Sequence, residues 1–478
     1  MSEKLDRTEC PLGITPGGPF EGTRFELSVP SRASVARPAL SVLRMRWEQK
    51  LQHATLSDVG LRRQNNEDSV ASHVCGSEAE FERRGHLFLV ADGMGGHAVG
   101  ELASQMAAES IPHAWNKLPG DDIAQVLRES VVTANSLIHE RGSSNRDFLR
   151  MGTTCTVLAL TAGGAYVAHV GDSRCYRIRR DRIDQLTFDH SLHWELQRQA
   201  RETGMPVELP EHRNIITRSL GPEAEVQVDV EGPFLILPGD IYLLCSDGLS
   251  GEVRDDEIGA LAGELSPTQA CRMLVHLANM RGGGDNCTVT VVRVGELPAN
   301  VPPPELPIES LPKQSVPAPT LIAGGVALAV LALGVITMLM GQIVMGAVLS
   351  AISAAGLIVL MAKRPKPAVV ESAPETDLSR TNLWRPYRTA VSRPTQEIYE
   401  SLSNLEGQVA KVARDEGWPV NWSQHTAAIQ ASVQARLEQR YAKGLRDVSR
   451  AIDLLMNALY TARRTPRPAA VPERGGAA

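Results

Sequence analysis

Aromatic residues are scarce in this chain, at 4% of 478 residues, and the formal net charge is only −6. A core must therefore be built mostly from aliphatic side chains, which a 43% hydrophobic content can supply. The modest acidic balance gives no general case for a nucleic-acid partner. There is no C-x-x-C pair, and the seven cysteines are odd in number and widely spaced. Cys155, Cys245 and Cys287 sit inside apolar strand-like runs, so they read as reduced, buried thiols of a cytosolic domain. No secretory signal is expected, because Met1-Ser-Glu-Lys is polar and no apolar core follows it. Most unusual is the stretch Leu321 to Ala362, which holds no charged residue at all.

What the chain does have is four short acidic motifs spread over more than two hundred residues: NNEDSV (Asn65 to Val70), ADGMGGH (Ala91 to His97), CSDGL (Cys245 to Leu249) and GDNCTVTVV (Gly284 to Val292). Each puts a carboxylate at the end of an apolar strand-like run or in a turn beside one. Like charges repel and lose hydration when gathered, so several carboxylates at strand ends imply a cation between them. An oxygen-only ligand set points to Mg²⁺ or Mn²⁺, not zinc.

The organisation follows from composition and periodicity. Residues 1–45 are rich in Gly, Pro, Ser and Arg and read as a disordered arm. A compact domain is expected over 46–296. Within it Glu101 to Leu118 and Asp121 to Glu140 carry helical spacing, Thr153 to Ile178 reads as a hairpin turning at Gly163-Gly164, and strands are expected at Phe234 to Leu237, Ile241 to Cys245 and Thr288 to Val294. Strands in hairpins with helices between blocks suggest stacked sheets with helices outside, not a doubly wound parallel sheet. A proline-rich linker (297–319) leads into 320–362. As one helix the uncharged stretch would be about 63 Å long, twice the hydrocarbon thickness. Two transmembrane helices (about 321–340 and 343–362) turning at Gly341-Gln342 are therefore expected, and basic residues outside both ends (Lys313; Lys363, Arg364, Lys366) place those ends in the cytoplasm. A second linker (363–394) precedes a helical region (395–463) with apolar residues at Ile398, Leu402, Leu405, Val409 and Val412, a break at Gly417-Trp418-Pro419, and a longer stripe from Ile429 to Leu459. Two antiparallel helices or an oligomeric coiled coil fit equally. The tail 464–478 is basic.

Eight segments in order, SDVGLRRQNNEDS (Ser57 to Ser69), ADGMGGHAVGELAS (Ala91 to Ser104), GTTCTVLAL (Gly152 to Leu160), HVGDSRCYRI (His169 to Ile178), LTFDHS (Leu186 to Ser191), TRSLG (Thr217 to Gly221), LLCSDGLSGEV (Leu243 to Val253) and GGDNCTVTVV (Gly283 to Val292), resemble the bacterial form of the type 2C metal-dependent serine/threonine protein phosphatases. The resemblance covers about Ser57 to Val294. It implies an α+β fold, an α-β-β-α sandwich of two antiparallel sheets flanked by helices, here followed by the transmembrane hairpin and a small all-α region. It implies two Mn²⁺ or Mg²⁺ ions, with a third position. Asp92 would bridge both metals, the Gly93 carbonyl would face the second, and Asp247 and Asp285 would hold the first. Glu67 would sit by the second with Asp68 beside it, and Asp172 would mark the third. Arg63 matches the phosphate-gripping arginine, with Arg62 adjacent as the competing choice. Where many eukaryotic members have a histidine directly after the metal-binding Asp-Gly, this chain has Met94. His97 stands three residues on, where general acid, water positioning or a helix cap each fit it.

The function expected is hydrolysis of phosphoserine and phosphothreonine on proteins by a metal-activated water, opposing a serine/threonine kinase, at the cytoplasmic face of a bacterial inner membrane. The C-terminal helices would recruit partners or make a homo-oligomer. The alternative is a catalytically weak, phosphatase-like scaffold or sensor acting through those helices, against which the intact Asp92, Asp247 and Asp285 argue.

Overall fold

The computed structural model describes residues 51–295, apart from 97, 149 and 205–214, together with residues 386–464. The arm 1–45, the stretch 320–362, the linker 297–319 and the tail from 465 lie outside the described residues. Among the described residues no helix is long and apolar enough to cross a membrane.

Two antiparallel sheets carry the fold. The first runs in the order β1 (Leu51–Asp58), β11 (Cys287–Val294), β10 (Ile241–Cys245), β7 (Arg174–Arg179), β8 (Arg182–Gln185) and β12 (Arg388–Val391). The second runs β2 (Asp68–His73), β3 (His86–Met94), β5 (Cys155–Thr161), β6 (Gly164–Val170) and β9 (Asp229–Phe234), with the short β4 (Gly152–Thr153) on the end of β3. Side chains alternate across each strand, so the continuous apolar run of β5 serves two cores. Val157 and Ala159 face the helices α2 (Ala98–Lys117) and α3 (Ile123–Ser144), while Leu158 and Leu160 meet the other sheet. The helix boundaries have local causes. The Asp122 carboxylate accepts the N–H groups of Ala124 and Gln125 to start α3. Beside the first sheet lie α6 (Asp255–Glu264) and α7 (Pro267–Met280), and α7 opens on a reciprocal Ser266/Gln269 cap with Pro267 in its first turn. The two-sheet α+β sandwich with flanking helices agrees with the expected class.

Three features differ from the sequence reading. The strand expected at Phe234 to Leu237 lies earlier, at Asp229–Phe234. Ile236 and Leu237 are buried, but their segment is held by side chains: Leu237 N–H donates to Asp240 Oδ2 at 2.7 Å, and Arg179 Nη2 donates to the Leu235 carbonyl at 2.7 Å. Next, Arg388–Val391, inside the expected linker 363–394, is strand β12 and pairs antiparallel with β8. Finally, the C-terminal region is three helices, α8 (Gln396–Asp415), α9 (Trp422–Leu437) and α10 (Tyr441–Arg464). The extra break falls at Gln439, whose φ of 56° lies in the left-handed region. Val433 and Leu437, which made the stripe look continuous, are exposed, Leu437 by 67%.

These helices do not stand apart. Ile398, Leu402, Leu445, Val448, Ile452 and Met456 are buried in the same cluster as Met273 and Leu277 of α7. Each such side chain contributes on the order of 1.5–3 kcal/mol relative to exposure. The stripe that suggested a coiled coil is largely occupied within the chain, as an extra helical layer over α6 and α7.

Candidate active site

The acidic motifs meet where the strands end. Asp68 opens β2 directly opposite Asp92 on β3. Asp247 begins the short helix α5 (Asp247–Ser250) after β10, and Asp285 precedes β11, the hydrogen-bonded neighbour of β10. Asp172 comes from the loop between β6 and β7 and is buried. Burial first, then the charges of Asp68, Asp247, Asp172 and Asp285, hold the Asp92 carboxyl well above the ordinary range. Burial pushes Asp68 up to about 7, against hydrogen bonds from Thr288 and Ser246 that pull it down. Asp172 is pushed up to about 8 by burial and then by Asp247. Asp247 is pushed up to about 6 by burial and then by Asp285, against a hydrogen bond with Asp92. The five aspartates are thus one electrostatic group.

Two oxygens in that group, Oδ1 of Asp68 and Oδ1 of Asp172, are buried with no protein partner. A buried acceptor left bare is costly, and a cation is the direct remedy. The residues present therefore fit a hard divalent ion.

Asp92 is placed by its backbone. Its N–H donates to Thr154 Oγ1 at 2.9 Å, and its carbonyl accepts Thr154 N–H at 2.8 Å and Thr153 Oγ1 at 2.9 Å. Gly93 sits at a crossing of three segments: a Cβ there would lie 2.2 Å from the Gly100 carbonyl oxygen and 2.6 Å from that of Glu67. Its N–H donates to the Glu67 carbonyl at 3.1 Å. Glycine is needed here on steric grounds before any metal is considered. Glu67 Oε2 lies against Gly100, where an added Cβ would come within 2.1 Å of it.

Arg63 reaches the acidic group from the rim. Its side chain is half-exposed, and Nη2 donates to Asp285 Oδ2 at 2.8 Å. Arg62 donates its backbone N–H to the Gly283 carbonyl at 3.2 Å. His97 lies outside the described residues, as do 205–214, which follow helix α4 (Leu192–Thr203). His190 is buried, accepts Gly171 N–H at Nδ1 (3.0 Å) and meets Asp229 Oδ2 at Nε2 (2.9 Å), so it holds the turn before Asp172.

Sequence reasoning gave no role to Asn286 or Ser246. Asn286 Nδ2 donates to the carbonyls of Val59 and Asn65, and its Oδ1 accepts Glu67 N–H at 2.8 Å, so one buried amide ties the Arg63–Glu67 loop to Asp285. Ser246 Oγ donates to Asp68 Oδ2 at 2.8 Å. The available signal was a polar residue next to Asp247 and to Asp285, at the end of an apolar run.

Among the described residues one tighter group of metal-type ligands exists, His73, Cys75 and Glu80, with ligand atoms within 4.8 Å of one another. Protein partners already satisfy it: His73 Nε2 pairs with Glu80 Oε1 at 2.8 Å, and Cys75 Sγ donates to the Gly85 carbonyl at 3.0 Å.

Comparison with known proteins gives a concordant result. The family model "Protein phosphatase 2C" matches residues 53–205. Protein phosphatase PhpP of Streptococcus pneumoniae is 37% identical over 246 residues, which cover 50% of this chain and 96% of the relative. Serine/threonine protein phosphatase PstP of Mycobacterium tuberculosis is 36% identical over 245 residues, 51% of this chain and 45% of that protein. A solved structure of the PstP catalytic domain in complex with two manganese ions is 36% identical and covers 52% of this chain and 99% of the solved one, with a TM-score of 0.44. A relative matched almost end to end at 37% identity shows that this chain belongs to the protein phosphatase 2C family and is a protein serine/threonine phosphatase.

Proposed function

We propose that the chain hydrolyses phosphoserine and phosphothreonine on proteins with two Mn²⁺ or Mg²⁺ ions, reversing a serine/threonine kinase at the cytoplasmic face of a bacterial membrane. The observation that carries the catalytic part is the gathering of Asp68, Asp92, Asp172, Asp247 and Asp285 into one group with two bare buried oxygens. Asp92, Asp247 and Asp285 would hold the ions, with the Gly93 carbonyl, Glu67 and Asp68 on the second side and Asp172 at a third position. Such ions supply a nucleophilic water at neutral pH and positive charge against the phosphoryl oxygens. Arg63, on the rim beside Asp285, offers a guanidinium fork to the phosphate. His97 or solvent supplies the proton for the leaving hydroxyl. The test is turnover of p-nitrophenyl phosphate and a phosphothreonine peptide by the full chain. Activity with Mn²⁺ and its loss with chelator are expected; folded protein that stays inactive with metal sinks the reading and leaves the scaffold alternative.

The membrane part rests on Leu321 to Ala362 and on topology. β11 and β12 flank this stretch in sequence and belong to the same sheet. One folded body lies on one side of a bilayer, so an insertion between two of its strands must cross an even number of times. That favours a hairpin of two spans over one. The full chain is expected to sediment with membranes and to resist both salt and alkaline carbonate, and a reporter fused after Ala478 is expected to behave as cytoplasmic. Carbonate release or a periplasmic signal overturns the hairpin.

A further inference from the structure

Asn279 near the end of α7 is 2% exposed, and its Nδ2 donates in two directions at 3.0 Å: to Asp58 Oδ1 and to the hydroxyl of Tyr460 on α10. Asp58 Oδ1 also accepts Gly60 N–H at 2.9 Å and so closes the turn that leaves β1. The residues after that turn belong to the active site. Leu61 and Arg62 donate their N–H groups to the Gly283 carbonyl at 2.9 and 3.2 Å, and Gly60 is so close to Asp285 that a Cβ would lie 2.3 Å from its carbonyl oxygen. Arg63 and Glu67 follow on the same loop, tied by Asn286. A continuous path of hydrogen bonds therefore runs from the C-terminal helix to the loop that presents the phosphate-facing arginine.

We propose that Tyr460 is a positioning residue for the phosphatase site: its hydroxyl fixes the Asn279 carboxamide, which fixes Asp58 and hence the 59–67 loop carrying Arg63 and Glu67. The apolar stripe of α10 already docks the helix, so the hydroxyl is not needed for docking. Its specific contribution is an acceptor for the second proton of Asn279 Nδ2. Without it a buried donor is left bare, and the amide can rotate away from Asp58 to find another partner. Docking of α10, whose chain arrives from the uncharged stretch by way of α8 and α9, thereby sets how tightly the site grips phosphate. The inference rests on the phosphatase reading above.

The experiment compares the full chain with Tyr460→Phe and Arg446→Ala. The second breaks the 2.7 Å Arg446–Glu264 contact of the same helix without touching Asn279. Tyr460→Phe is expected to raise KM for p-nitrophenyl phosphate by roughly three- to tenfold, with kcat within about twofold, and to speed amide exchange in 58–67. Arg446→Ala is expected to leave all three unchanged. KM unchanged in Tyr460→Phe overturns the proposal, whatever the exchange shows. So does an equal effect in Arg446→Ala, which would mean that looser docking alone is responsible. Should the wild-type chain show no turnover, the phosphatase reading fails, and amide exchange in 58–67 alone decides the coupling: faster exchange in Tyr460→Phe supports it, unchanged exchange overturns it.

Discussion

Asp92→Asn is expected to lower kcat in Mn²⁺ by roughly a thousandfold or more while leaving the protein folded and, without metal, no less stable. Asp92 is the carboxylate on which the other four act, and it shares a hydrogen bond with Asp247. Asparagine keeps the shape and leaves the backbone bonds to Thr153 and Thr154 intact, because they involve only the Asp92 N–H and carbonyl. What disappears is a buried carboxyl that must either hold a proton or add its charge to a group of like charges. Loss of activity and relief of repulsion therefore go together, a combination that general unfolding cannot produce. The check is steady-state kinetics beside a thermal melt in chelator. Activity within tenfold of wild type would show that Asp92 is not at the metal centre. Asp285→Asn should also silence the enzyme, but it additionally frees Arg63 from its 2.8 Å partner and should disturb KM as well.

The acidic centre was legible in the sequence because each aspartate closes or opens an apolar run, and strand ends of a two-layer fold fall on common edges. The hairpin Cys155–Thr161 and Gly164–Val170 was legible from its glycines. At Gly93 the structure shows close approach of the carbonyls of Gly100 and Glu67, contacts between segments far apart in sequence that no local pattern reveals. The place of the C-terminal region was hidden for a similar reason. An amphipathic stripe says that a helix must pack, not against what. One clue was available. From Met273 onward α7 is buried on every side, at Met273, Leu274, Val275, His276, Leu277 and Ala278, and that run is apolar around most of the helix. A helix lying on a sheet with its back to solvent would not be. β12 gave no warning, since four residues, Arg-Thr-Ala-Val, are too few to show alternation, and its partner β8 is equally short and polar. The consequence is concrete. A fragment ending near 297 would lose an edge strand and uncover α7, so the full chain is the proper subject for every measurement proposed.

Metal-free protein is expected to melt at progressively lower temperature as pH rises from about 5 to about 8, by roughly 5 °C or more in all, and Mn²⁺ is expected to restore far more at pH 8 than at pH 5. The sign follows from the directions of the shifts. Asp247, Asp68 and Asp172 are pushed up to about 6, 7 and 8, each from an ordinary 3.8, with burial as the first cause. In the unfolded chain these groups have released their protons by pH 5, whereas the folded state still holds them. The folded state thus binds more protons across this window, and its stability falls as pH climbs through the folded values. A divalent cation takes over the work of those protons, so binding releases them and strengthens with pH. The measurement is a melt series from pH 5 to 8.5, in chelator and in Mn²⁺, with Asp92→Asn alongside. The variant should show a shallower slope in chelator and little response to Mn²⁺, because one buried carboxyl that burial and its neighbours hold well above the ordinary range, and that would hold the ions, is gone. Other shifted groups, such as the buried His169, are common to both proteins and cancel in the difference. A flat wild-type series, or equal Mn²⁺ shifts at both ends, would mean that the five aspartates do not act as one group.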